Sequence, residues 1–189
     1  MRRLSVRPAI TLRGRTFKGL RGWAGKPFHP PLTDIPIGAY VLGAVLDVIS
    51  LVGRDHDWAR EFWHGGTFVF VGGAVVSVLA ALTGFVDRAR SSEPGTQARR
   101  TINTHAAIMV TVTVATIVNI VLRLAMYHTD DSTPVGIAVL SVVIAALVGW
   151  GSTYGGSLVF DYGFNVETAG DSPVWHRSED DVLPGDHHS

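Results

Sequence analysis

Four apolar stretches, at about residues 35–53, 67–86, 106–126 and 135–151, constrain this chain more than any other feature. Each comes near the roughly 20 residues that an α-helix needs to cross the hydrocarbon of a bilayer. The connections between them, 54–66, 87–105 and 127–134, are short and favour antiparallel neighbours. The expected fold is therefore all-α: an integral membrane, up-and-down four-helix bundle with disordered polar termini. Residues 1–27 form a basic cytoplasmic arm, 28–166 the transmembrane domain and 167–189 an acidic disordered tail. Asp34 is expected to cap the first helix, with Pro36 in its first turn, and Arg54, Asp55 and Asp57 mark where that helix leaves the apolar region. Residues 151–160 either extend the last span or hook back at the interface. No internal repeat is visible in the sequence.

Composition narrows the chemistry. With 47% hydrophobic residues the chain is too apolar, and too unevenly so, for an ordinary soluble domain. It has no cysteine, which removes disulfides, thiolate metal sites, iron–sulfur clusters and thiol catalysis. Redox chemistry would require a borrowed cofactor. Formal neutrality, 16 basic against 16 acidic residues, conceals a separation. Eight basic residues, from Arg2 to Lys26, precede the first acid, Asp34, whereas the tail carries Glu167, Asp171, Glu179, Asp180, Asp181 and Asp186 against Arg177 alone. The first 34 residues hold no apolar run long enough for a signal peptide, so the arm is expected to stay on the mature protein. Thirteen of the basic residues fall on the side that holds both termini and the 87–105 connection. The positive-inside rule then places both termini in the cytoplasm.

Polar residues inside the spans are the first candidates for a site. Asp47 lies about three residues past the centre of the first span and Asn119 about four past the centre of the third, so both sit roughly 5 Å outward of the midplane. Arg123 follows Asn119 by one turn on the same face, and its side chain leans back toward the start of its helix. These three residues are expected to form an intramembrane cluster, because a charge at that depth must be paired or neutralised. They belong to a longer stripe on the third helix, His105, Met109, Val112, Thr116, Asn119 and Arg123. On the second helix Gly73, Ser77, Ala81 and Gly84 form a small-residue stripe suited to close packing.

At the inner face the topology collects His29, Asp34, Asp87 and His105, together with an interface motif of Tyr154, Gly155 and Gly156. Two imidazoles beside a carboxylate have the composition of a haem or metal site, His29 and His105 being the candidate haem ligands. Solvated helix ends offer a plainer account of the same residues. His64 and His128 invite a second pair on the outer side. His105 and His128 are nevertheless 23 residues apart, about 35 Å along a helix, which would leave two haems at the edges of the hydrocarbon. The glycine pairs lack the context of a phosphate loop, and neither a nucleophile elbow nor a His-Glu-x-x-His motif occurs. The basic arm suits topology control or anionic lipid, and no specific nucleic-acid binding is expected.

The segments "HPPLTDIPIGAYVLGAVLD", "GFVD", "INTHAAIMVTVTVATIVNIVLR" and "YGGSLVFDYGFNV", in this order, resemble the domain of unknown function 2231 family of bacterial membrane proteins. The resemblance covers about residues 28–166. It implies a multi-pass protein of the bacterial plasma membrane and falls on His29, Pro30, Pro36, Gly38, Asp47, Gly84, Asp87, His105, Arg123, Gly155, Gly156, Leu158 and Val159. Phe160 stands where a tyrosine is more usual. Some relatives carry a Rieske-type domain after the membrane part, which implies a redox setting. This chain has an acidic tail instead, so an electron carrier would be a separate protein.

The leading expectation is a non-catalytic membrane subunit or scaffold, embedded in lipid, with a membrane or redox partner or a second copy of itself. The alternative is a module that binds haem b and transfers electrons with a separate partner. A weaker alternative, proton or small-solute transport, rests on Asp47 and Arg123. No catalytic residue and no metal site is assigned.

Overall fold

The computed structural model describes residues 19–20 and 27–164. Nearly all of the basic arm and the whole acidic tail lie outside these residues. Four helices follow one another: α1 (His29–Val52), α2 (Ala59–Ser91), α3 (Gln97–Met126) and α4 (Val135–Phe160). There is no strand among the described residues. Each helix is long and apolar enough to cross a membrane, and the chain is a multi-pass, all-α membrane protein.

The helices outrun the apolar stretches that announce them. Asp34 does not cap α1, which begins five residues earlier and carries proline in its first turn. Proline loses nothing there, because the first N–H groups of a helix have no intrahelical partner. Pro36 is instead buried inside α1, where it removes one helical hydrogen bond. Thr96 caps α3 by accepting the N–H of Arg99 at 3.1 Å. The preceding Gly95 has φ 82°, a left-handed conformation that glycine adopts without a Cβ clash and that lets α2 turn into α3 within five residues. Residues 151–160 extend α4 and do not hook back.

α1 packs against α2 and α4, and α3 against the same two helices, so α1 and α3 face each other diagonally. Glycine allows the tightest approach: the ring of Phe70 on α2 occupies the space where a Cβ on Gly43 would stand. Tyr40, Phe70, Val112, Ile144 and Val148 form the apolar core. Many large apolar side chains point outward, among them Val75, Leu82, Ile117, Val121 and Val139. Water would penalise such a surface, whereas lipid tails solvate it.

The buried positions repeat between the two helical hairpins. Pro36, Tyr40, Gly43 and Asp47 of α1 recur in spacing as Val112, Thr116, Asn119 and Arg123 of α3. Gly66, Thr67, Phe70, Gly73, Ala80 and Asp87 of α2 recur as Ile137, Ala138, Ser141, Ile144, Gly151 and Leu158 of α4. The residue types differ almost throughout, which hides the repeat from a sequence reading. Each hairpin starts at the same end, so the arrangement is that of parallel repeats about an axis along the bundle.

Candidate functional site

Two polar sites lie on that axis, and both draw on equivalent positions of α1 and α3. At the arginine end, Arg123 forms an ion pair with Asp47, both side chains being fully buried. Its Nε donates to Asn119 Oδ1 at 2.5 Å, Nη1 to Thr67 Oγ1 at 3.2 Å and Nη2 to Ser141 Oγ at 3.1 Å. The guanidinium also lies over the rings of Trp63 and Phe70, 5.0 Å and 4.5 Å from their centroids. Asp47 accepts in addition from Thr133 Oγ1 at 3.3 Å. Thr133 N–H in turn donates to Ser50 Oγ at 2.9 Å, which draws the α3–α4 connection into the bundle. Gly66 leaves room for the pair, since a Cβ there would stand 2.9 Å from Asp47 Oδ1. Both ions are satisfied on nearly every side, as a pair without water requires.

The histidine end is built differently. His29 opens α1, and its Nδ1 donates to the carbonyl of Ala80 on α2 at 2.8 Å. His105 Nδ1 donates to the carbonyl of Gly151 on α4 at 2.9 Å. Because a carbonyl only accepts, each Nδ1 carries a proton, and in the neutral ring the lone pair is then on Nε2. One turn beyond each carbonyl is a glycine beneath the ring. A Cβ on Gly84 would stand 2.7 Å from His29 Cε1, and one on Gly155 would stand 3.3 Å from His105 Cε1. The two imidazoles are thus held in the same manner by the two hairpins. Eighteen residues separate His29 from Asp47, and the same number separates His105 from Arg123, so the histidines share one depth.

Both histidines line a cavity of about 820 Å³, within the roughly 300–1,000 Å³ range of ligand and cofactor sites. Ile37, Tyr40, Met109, Val112 and Val148 line it toward the core, and Asp34, Asp87 and Arg88 toward the helix ends. Asp87 is buried and accepts the N–H of Leu20 at 3.0 Å. The hydroxyls of Tyr40 and Thr116, between the two sites, are buried without a hydrogen-bond partner.

The structure therefore brings Asp47, Asn119 and Arg123 together, and sets His29, Asp34, Asp87 and His105 around one cavity with Gly155 and Gly156. Tyr154 is not among the lining residues and packs edge-on to Trp150 at 6.2 Å. At the other end His64 and His128 are kept apart by Tyr127, whose ring stacks on His64 at 4.2 Å and meets His128 edge-on at 5.0 Å. Sequence reasoning missed Thr67 and Ser141, because hydroxyls are common inside membrane helices and carry no depth signal, and Thr133, because it lies in the α3–α4 connection. It also read Gly84 as packing alone, whereas that residue seats an imidazole. The matching 18-residue spacing could have pointed to the paired design.

A four-helix membrane bundle with one closed polar cluster and one open cavity is the class that fold and sites define. The family model for predicted membrane proteins named DUF2231 matches residues 25–168, and the chain belongs to that family. No curated protein and no solved structure matches it.

Proposed function

We propose that this protein is a haem-bearing electron-transfer module of the membrane, in which His29 and His105 would hold the haem. The observation that carries this reading is their common mounting: two imidazoles from diagonal helices, each with Nδ1 committed to a backbone carbonyl, lining one cavity. Such a bond fixes the tautomer and the ring plane and makes the other nitrogen a better ligand. Among the described residues no three His, Cys, Asp or Glu side chains cluster to hold a bare metal ion. A haem would ask the protein for no more than two side-chain ligands, and His29 and His105, which line one cavity, would supply them. Haem would supply reversible one-electron transfer. The chain's own part is to fix the two rings, exclude water with Ile37, Met109, Val112 and Val148, and place the site at one membrane face.

The charge asymmetry supports cytoplasmic termini, so in this reading the histidine end faces the cytoplasm and a separate redox protein there. A non-catalytic scaffold is the second reading. It draws on the arginine end, where a fully paired cluster fixes the bundle and leaves nothing reactive exposed. Transport draws less support, since Asp47 and Arg123 are absent from the cavity lining.

The test is a visible absorption spectrum of detergent-purified protein, expressed with ample haem, in oxidised and reduced forms. The expected result is a Soret band that shifts on reduction and is lost in both His29→Ala and His105→Ala, while the variants keep their helical content. A colourless, folded wild-type protein would overturn the haem reading and favour the scaffold.

A further inference from the structure

We propose that Arg88 is an anion subsite at the mouth of the cavity, which binds the carboxylates of the bound tetrapyrrole and sets which way round it enters. This inference rests on the haem reading above. Among the described residues Arg88 is the one lysine or arginine that lines the cavity. It stands in the last turn of α2 and is half-buried. Its Nε donates to Asn103 Oδ1 on α3 at 2.9 Å, which holds the guanidinium across the α2–α3 seam, and neither terminal nitrogen has a partner among the described residues. No carboxylate among the described residues pairs with it.

An arginine in the last turn of a helix also complements the helix dipole, so a second feature has to point to a ligand. That feature is the polarity of the cavity. Its deep wall, Ile37, Met109, Val112 and Val148, is apolar, and Tyr40 there offers no exposed polar atom. The mouth is charged, yet its two acids do not oppose an anion at Arg88 equally. Asp87 is buried and takes the Leu20 N–H, whereas Asp34 is exposed on α1. A ligand with an apolar planar body and carboxylates along one edge therefore has one favourable orientation, body toward Val112 and carboxylates at Arg88. The fork of a guanidinium matches a carboxylate bidentately, which an ammonium does not.

The experiment titrates haem-free protein with haemin and with haemin dimethyl ester, whose carboxylates are blocked, and reads the Soret band. Wild type is expected to bind haemin about tenfold or more tightly than the ester, the range of a charge-assisted hydrogen bond. Arg88→Gln should bind both at the affinity of the ester, and Arg88→Lys should recover part of the preference. Equal wild-type affinities, or a preference that survives in Arg88→Gln, would overturn the subsite while leaving His29 and His105 as the candidate ligands. Failure of wild type to bind either compound would overturn the haem reading and this inference together. If Arg88→Gln does not fold, equal wild-type affinities still overturn the subsite, and an undiminished preference in Arg88→Lys overturns it as well.

Discussion

The two ends of the bundle use equivalent positions on α1 and α3 for opposite purposes. At the arginine end the facing side chains are Asp47 and Arg123, which neutralise each other, and an amide and hydroxyls from α2, α3, α4 and the α3–α4 connection fill the remaining valences. At the histidine end the facing side chains are alike, two imidazoles, and the space between the helices stays open. Complementary groups on a shared axis close a site by binding each other. Identical groups cannot, so they present their lone pairs to a third body. The first arrangement holds the hairpins together, and the second is free to bind something.

The sharpest way to break this comparison is to remove charge at the arginine end. Asp47→Leu or Arg123→Leu alone strands a buried ion and should lower stability by roughly 3–5 kcal/mol, whereas the double variant should recover most of the loss. Thermal unfolding in detergent measures this, and a double variant as unstable as the worse single would show that the two charges do not act as a pair.

A smaller effect is expected at the glycines of the histidine end. Gly84→Ala drives a methyl group to 2.7 Å from His29 Cε1 and should cost about 1–3 kcal/mol as the ring shifts. Gly155→Ala, at 3.3 Å from His105 Cε1, should cost less than about 1 kcal/mol. Unfolding curves of the two variants compare them, and equal losses would mean that the seats are not tuned to the rings.

The smallest effect should come from the hydroxyls between the sites. Tyr40→Phe and Thr116→Val remove buried oxygens that have no partner, so stability should change by no more than about 0.5 kcal/mol or rise slightly. A loss above about 1 kcal/mol in the same assay would reveal hydrogen bonds that tie the two ends together.

Part of this design is legible along the chain. Asp47, Asn119 and Arg123 meet where depth along parallel helices says they can, because a helix converts residue number into height at a fixed rise. The meeting of His29 and His105 at one end follows from the same arithmetic. What depth does not specify is rotation. Whether His29 faces lipid or the bundle depends on how α1 turns against α2, and that is decided by Gly84 and the Ala80 carbonyl, which lie on another helix. Thr67, Ser141 and Arg88 were illegible for the same reason: nothing in their own segments says which neighbour they face.

The sequence by itself determined the four spans, their order, the segregation of charge to one side and the depth of each polar residue. These follow from hydrocarbon thickness and helical rise, which are local constraints. Tertiary structure alone decided which polar groups close on each other and which surround a cavity. Helix rotation and diagonal pairing are set by close packing between segments far apart in the chain, where one glycine in place of a larger residue makes the seat for a ring.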